Sequence, residues 1–133
     1  TNMQAAVGVA QVERADEIIE QKRRVADRYR RQLDDVARFQ SNPDWAWPVY
    51  WMNTPVFDTP ADRDAVLDSL AASDIETRPF FYPLHDQPPY RRAPPRTPSV
   101  AMDLYDRGVN LPSSPTLTDE DIDTVCTAVR DAL

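Results

Sequence analysis

Nine of the thirteen prolines in this chain lie between Pro79 and Pro115. Proline has a fixed φ and no backbone N–H, so it removes hydrogen bonds from helix interiors and from central strands. A stretch this rich in proline is therefore not a compact bundle of regular elements. We expect the long helices to lie before and after it, and short elements joined by stiff loops within it.

The first 39 residues are predicted to form one long helix over 2–39. The apolar residues that recur every seven positions are Val12, Ile19, Ala26 and Leu33. This spacing places them on one helix face, and the charged residues between them form a solvated face. We expect the apolar face to pack in a core or in a dimer seam, and residues 41–44 to end the helix.

Beyond residue 44 the pattern predicts alternating short strands and helices. Strands are predicted within 45–57 and over 75–81 and 109–111. Pro48 and Pro55 confine the first of them to the middle of its stretch or place it at a sheet edge. Helices are predicted from Thr59, with Pro60 at its first position, to about Ser73, then over 99–107, and from Thr118 onwards. The predicted fold class is α+β, an α/β sandwich with a small, mostly antiparallel sheet covered by helices. The predicted organisation is a long connecting helix, 1–40, followed by a small domain, 41–133.

Composition narrows the classes of partner. The net charge of −7 and the pI near 4.6 argue against nucleic acid and against an anionic membrane as partners. The single cysteine, Cys126, excludes an internal disulfide and is predicted to be a buried thiol on an apolar helix face. With one histidine and one cysteine, a catalytic zinc site would need carboxylates for its remaining ligands. Without a membrane-length apolar stretch or a leader, a cytoplasmic location is expected.

Residues 77–90 are the densest candidate for a functional site. They contain the only histidine, His85, together with Arg78, Tyr82 and several prolines. A proline-stiffened loop after a strand holds polar side chains in fixed positions at low entropic cost, as a ligand site requires. A structural loop in which His85 bonds to the backbone is the alternative interpretation.

Three motifs, in order along the chain, resemble sugar aminotransferases of the DegT/DnrJ/EryC1/StrS family. Residues 1–14 are similar to the family's T-N-x-Q-A-A-x-G-x-A-Q-x-E-R helix start. Residues 75–85 are similar to its I-E-T-R-x-x-F-Y-P-L-H stretch, and residues 108–121 to its G-V-N-L-P-S-S-P segment and the helix start that follows. The R-P-F-F-Y-P-L-H version resembles perosamine-synthase-like members, which aminate a nucleotide-linked 4-keto-6-deoxysugar.

The resemblance implies a fold-type I, pyridoxal phosphate (PLP)-dependent transaminase that works as a homodimer with glutamate as the amino donor. It also implies that this chain corresponds to the C-terminal segment and that the Schiff-base lysine lies upstream of it. The one lysine, Lys22, lies in a run of charged residues with nothing around it to desolvate its amine. We therefore expect no catalytic residue here, PLP in the intact enzyme, none for this chain alone, and no activity of the isolated chain.

The resemblance also implies roles for particular residues. Arg78, Tyr82 and His85 are expected to bind the nucleotide-sugar substrate without proton chemistry. Thr1 and Asn2 are expected near the PLP of the partner subunit. Two alternatives stay open: a stand-alone interaction module that binds a protein partner through its long helix, and a dehydratase in which histidine replaces the upstream lysine.

Overall fold

The computed structural model describes residues 1–90 and 100–133. Within these residues the chain forms five α-helices and a two-stranded antiparallel sheet, which agrees with the predicted α+β character. The helices are α1 (Asn2–Glu13), α2 (Ala15–Leu33), α3 (Pro60–Ala72), α4 (Val100–Arg107) and α5 (Asp119–Arg130). The strands are β1 (Arg78–Pro79) and β2 (Val109–Asn110), and two short 3-10 helices span Leu84–Asp86 and Pro88–Tyr90.

The prediction of one continuous helix over 2–39 is wrong in two places. The helix breaks at Arg14, whose φ of −107° and ψ of 8° separate α1 from α2. It then ends at Leu33, because the backbone of Arg38 pairs with that of Val56 through two N–H···O bonds of 2.9 Å. Such a bridge requires extended backbone, so the chain leaves the helix before reaching it.

The predicted strand over 45–57 is also wrong. Only Asn53 and Val56 form bridges there, and both are isolated ones. Pro48 and Pro55 lack the N–H groups that a ladder needs, and Tyr50 has a φ of 48°, outside the β region. The strand predicted over 75–81 shortens to β1. The strand predicted over 109–111 is confirmed as β2, with Leu111 bridging to Asn53.

Helices α3 and α5 begin at the positions that their predicted N-cap residues indicate. In both α3 and α5 a threonine side chain accepts a hydrogen bond from the N–H three residues on, over 3.1 Å: Thr59 from Asp62 and Thr118 from Asp121. The aspartates complete both capping boxes. The helix predicted over 99–107 is confirmed from Val100 onwards, whereas its first residue, Ser99, lies outside the described residues.

The core lies between α2, α3, α5 and β2. Its fully buried members include Val25, Tyr29, Leu33, Val66, Leu70, Val109, Ile122 and Val129. Cys126 is buried as predicted, and burial raises the pKa of its thiol to about 11. The predicted seven-residue stripe divides at the helix break, since Ala26 and Leu33 are buried whereas Val12 is 75% exposed.

The first helix lies apart from this core. It has no buried residue, and Met3, Val7 and Val9 are all more than half exposed. Among the helices of residues 1–90 and 100–133, none has the length and apolar character needed to cross a bilayer.

Candidate functional site

A groove of about 340 Å³ lies between α2, residues 51–52 and the two-stranded sheet. The side chains that line it include Lys22, Trp51, Glu76, Arg78, Asn110 and Ser113. We call it the Lys22 groove. Two cations, one carboxylate, an amide, a hydroxyl and an indole converge there, and this mixture suits a polar ligand with several hydrogen-bonding groups.

One wall of the Lys22 groove is the sheet. Arg78 pairs with Asn110 across the antiparallel strands. The Asn110 side chain is buried, and its Nδ2 donates to the carbonyl oxygen of Pro79 over 3.0 Å. The Oδ1 atom of Asn110 is buried and has no hydrogen-bond partner among residues 1–90 and 100–133. A buried acceptor in this state is unfavourable unless a ligand or water donates to it.

Lys22 forms part of the opposite wall. Its Nζ donates to the carbonyl oxygen of Trp51 over 3.2 Å and to that of Ser113. Burial lowers the pKa of the Lys22 amine. The expectation that nothing desolvates Lys22 is therefore wrong: α2 packs this part of the charged run against two distant segments of the chain.

The hydrogen bonds of the Ser113 hydroxyl stabilise the local fold. Its Oγ accepts hydrogen bonds from the backbone N–H of Asn53 over 2.9 Å and from the Asn53 side chain over 3.1 Å. The same hydroxyl donates to the carbonyl oxygen of Leu111 over 2.8 Å. This hydroxyl ties Asn53 to the end of β2, and no histidine lies among these partners to activate it as a nucleophile.

Arg78 is the predicted site residue that lies in the Lys22 groove. Its guanidinium is 2.7 Å from the carboxylate of Glu76, and the two side chains are 75% and 78% exposed. An ion pair this exposed contributes little stability. The guanidinium can therefore exchange Glu76 for a ligand anion at low energetic cost.

Tyr82 and His85 lie on the loop after β1 and do not line the Lys22 groove. The Tyr82 hydroxyl donates to the carboxylate of Asp86, and its ring meets Tyr105 edge-on with centroids 5.0 Å apart. His85 is exposed, in the 3-10 helix Leu84–Asp86. The loop reaches the groove through Phe81, whose ring stacks with that of Trp51 at 6.3 Å between centroids and an angle of 21°.

Thr1 and Asn2 lie at the exposed start of α1 and are not part of the Lys22 groove. The Thr1 hydroxyl accepts a hydrogen bond from the backbone N–H of Gln4 over 3.3 Å, and together they form the predicted capping box. Within this chain the position of Thr1 is explained by helix capping.

Sequence reasoning did not predict most of the groove lining, which includes Lys22, Trp51, Asn110 and Ser113. Asn110 and Ser113 belong to the N-L-P-S-S segment, so that motif was the available signal for them. Nothing local marks Lys22 or Trp51, because their contact joins positions 29 residues apart in sequence.

A larger cavity, of about 620 Å³, lies beside α4. Its lining includes Arg38, Phe39, Phe80, Leu104 and Arg107. The Arg107 guanidinium is bound to Asp103 and donates to the carbonyl oxygen of Phe57 over 2.9 Å. Arg78, Tyr82 and His85 do not line this cavity, so we base the functional argument on the Lys22 groove.

The residues of this chain do not fit a covalently held PLP. Lys22 is the only lysine, and its amine is engaged by two main-chain carbonyl oxygens. In the described part of the chain, no group of three or more His, Cys, Asp or Glu side chains is arranged to hold a metal ion. We therefore derive no catalytic step from these residues, and the groove is considered as a binding surface.

Comparison with known proteins gives the family. The sequence model of the DegT/DnrJ/EryC1/StrS aminotransferase family matches residues 1–130. The chain belongs to this family. The resemblance drawn from the three motifs is thereby confirmed.

Two curated members of the family show the extent of the match. The chain is 37% identical to the GDP-perosamine synthase of Escherichia coli O157:H7, over 98% of this chain and 36% of that enzyme. It is 36% identical to the GDP-perosamine synthase of Caulobacter vibrioides, over 100% of this chain and 37% of that enzyme. The chain thus spans little more than a third of the length of these relatives.

Solved structures of the DegT/DnrJ/EryC1/StrS family have the same fold. A family aminotransferase from Brucella abortus superposes with a TM-score of 0.85 at 27% identity, over 96% of this chain and 34% of that one. The aminotransferase TlmJ from Streptoalloteichus hindustanus superposes with a TM-score of 0.83 at 26% identity, over 96% and 35% respectively. The α+β architecture is therefore that of a segment found in these aminotransferases.

Proposed function

We propose that this chain is the C-terminal part of a PLP-dependent aminotransferase, which transfers an amino group from glutamate to a nucleotide-linked keto-deoxysugar. The observation that carries this proposal is the family match over residues 1–130. The relatives named GDP-perosamine synthase support a GDP-linked 4-keto-6-deoxysugar as the first substrate to test. We expect the reaction to take place in the cytoplasm.

In this proposal residues 1–40 connect to a large domain and residues 41–133 form the small domain of a fold-type I enzyme, in which helices cover a small sheet. The exposed apolar side chains of Met3, Val7 and Val9 support a contact between α1 and further polypeptide. The proposed enzyme is a homodimer, and Thr1 and Asn2 lie near the cofactor of the second subunit.

The part assigned to this chain is to bind and orient the substrate. Arg78 offers a guanidinium that binds phosphate oxygens in bidentate geometry once it leaves Glu76. Tyr82 and His85 present polar groups on the neighbouring loop, which is stiffened by Pro83. These residues hold the sugar nucleotide in place, which favours reaction by fixing its orientation.

PLP, when bound by the rest of the enzyme, supplies the amino-transfer chemistry. The proposal assigns the cofactor lysine to polypeptide outside this sequence, and the hydrogen bonds of the only lysine here to Trp51 and Ser113 support that assignment. The isolated chain is therefore expected to be inactive.

The test is an amination assay on two forms of the protein, namely the polypeptide at its native length and this chain alone. Each is supplied with PLP, glutamate and a GDP-linked 4-keto-6-deoxysugar, and the sugar product and 2-oxoglutarate are measured by mass spectrometry. We expect both products from the native polypeptide and neither from the isolated chain.

Other outcomes separate the alternatives. Turnover by the isolated chain contradicts its proposed inactivity. A deoxygenated keto sugar in place of the aminated sugar, with ammonia released and glutamate oxidised to 2-oxoglutarate, identifies a dehydratase. No reaction of the native polypeptide with any nucleotide-linked keto sugar, together with recovery of a bound protein partner, supports the interaction module.

A further inference from the structure

Lys22 connects two parts of the chain that are distant in sequence. Its Nζ donates to Trp51, 29 residues away, and to Ser113, 91 residues away. Both acceptors are neutral main-chain carbonyl oxygens, so the charge is not neutralised by a carboxylate in these bonds. Hydrogen bonds from a cation are shorter and stronger than those between neutral groups. Lys22 therefore fixes the separation of two segments that line the same groove.

Each of these two segments contacts a further part of the groove or of its surroundings. The indole ring of Trp51 stacks on Phe81, which precedes Tyr82 on the loop after β1. The hydroxyl of Ser113 holds Asn53 through two hydrogen bonds. A change in the position of Lys22 is consequently expected to displace both the aromatic side chains beside the groove and the segment that follows β2.

Asn110 is a fixed part of the groove wall. Its orientation is fixed, because Nδ2 has to face the carbonyl oxygen of Pro79. The buried Oδ1 is then left as an acceptor without a partner in the described part of the chain. Arg78 lies opposite Asn110 in the same sheet pair, so its backbone position is set by the same strand.

We propose that Lys22 is a positioning residue of the Lys22 groove. It holds the carbonyl oxygens of Trp51 and Ser113 so that the groove presents the exposed Arg78 guanidinium to an anionic ligand in one geometry. The inference rests on the proposed function, in which this ligand is the nucleotide sugar. Lys22 touches neither the sugar nor the cofactor in this proposal and acts through the segments that it joins.

The test compares three variants of the polypeptide at its native length: Lys22→Met, Lys22→Arg and the control Arg31→Met. Arg31 is an exposed cation on the same helix and does not line the Lys22 groove. The readouts are KM for the GDP-linked keto sugar, KM for glutamate and kcat. Lys22→Met is expected to raise the sugar-nucleotide KM about tenfold and to leave kcat and the glutamate KM within about twofold.

Lys22→Arg is expected to restore the sugar-nucleotide KM, because a guanidinium also donates to two carbonyl oxygens. Arg31→Met is expected to match the unmodified protein. A merely structural role would lower the active fraction, and hence apparent kcat, without changing KM. If Lys22→Met does not fold, Lys22→Gln takes its place with the same expected direction.

The kinetics separate failure of the positioning role from failure of the proposed function. An unchanged sugar-nucleotide KM in Lys22→Met, or no recovery in Lys22→Arg, overturns the positioning role while the proposed function stands. No amination by the unmodified polypeptide overturns the proposed function, and the positioning role is lost with it.

Discussion

The hydroxyl of Tyr29 donates a hydrogen bond to the carbonyl oxygen of Pro112, with the two oxygens 3.1 Å apart. Tyr29 lies fully buried on α2, and Pro112 is in the segment that continues from β2 along the Lys22 groove. This bond and the Lys22 bonds fasten the same segment to the same helix. The stability of the core and the shape of the groove are therefore linked through α2.

Tyr29→Phe is expected to lower the free energy of unfolding by about 1 kcal/mol, since it removes one hydrogen bond and keeps the ring. Tyr29→Ala is expected to lower it by about 3–5 kcal/mol, because it also leaves a cavity. Urea unfolding measures both. Tyr90→Phe is the control, since Tyr90 is 52% exposed; an equal effect of both Phe substitutions would contradict the role of the Pro112 bond.

Gly108 and Gly8 are expected to respond to alanine with opposite signs. A Cβ at Gly108 would lie 2.6 Å from the carbonyl oxygen of Leu104 and 2.8 Å from the ring of Phe80, so the backbone has to shift. We expect Gly108→Ala to destabilise the protein by about 1–3 kcal/mol.

Gly8 lies within α1, and nothing lies within 4 Å of a Cβ built there. Alanine at this position is expected to stabilise by about 0.5–1 kcal/mol through helix propensity. Denaturant unfolding of the two variants side by side is the measurement. Stabilisation by Gly108→Ala would show that the 104–108 turn relaxes freely.

Protonation of Asp123 is expected to lower the free energy of unfolding as the pH becomes acid. The Arg28 guanidinium, with help from the Gln32 amide, holds the pKa of its carboxyl below the usual range. A lowered folded-state pKa contributes stability that is present above the unfolded pKa of about 4 and is lost as the pH falls through the folded pKa. Thus Asp123→Asn should be less stable than the unmodified protein near neutral pH, and this difference should shrink towards about pH 3.

Unfolding midpoints measured from about pH 7 to about pH 3 test this expectation. Asp16→Asn is the control, because Asp16 is an exposed carboxylate on the same helix as Arg28. A pH-independent difference between Asp123→Asn and the unmodified protein would exclude Asp123 as a source of the acid sensitivity.

Arg78→Gln is expected to raise KM for the GDP-linked keto sugar about tenfold in the native-length protein, because it removes a charge-assisted hydrogen bond to the ligand. The free energy of unfolding should change little, since the ion pair with Glu76 is exposed. Steady-state kinetics measure the KM, and urea unfolding measures the free energy of unfolding. An unchanged KM would place the anion of the substrate elsewhere.

Much of the helical framework could be predicted from local sequence. Thr59 and Thr118 start α3 and α5 because a cap and its partner lie three residues apart, so the signal is complete within one turn. Cys126 on α5 is buried as predicted, since it lies on the apolar face of that helix. Of the residues predicted for binding, the structure brings Arg78 into the Lys22 groove, whereas Tyr82 and His85 lie on the adjoining loop.

The sequence by itself determined the α+β character, the N-caps of α3 and α5 and the family motifs, because each depends on residues close together in the chain. Only the tertiary structure decided where α2 ends, how short the strands are and what surrounds Lys22. The helix ends before Arg38, whose backbone pairs with that of Val56. Lys22 donates to carbonyl oxygens that are 29 and 91 residues away in sequence. Such bonds depend on segments that meet only once the core has packed, and no local pattern contains that information.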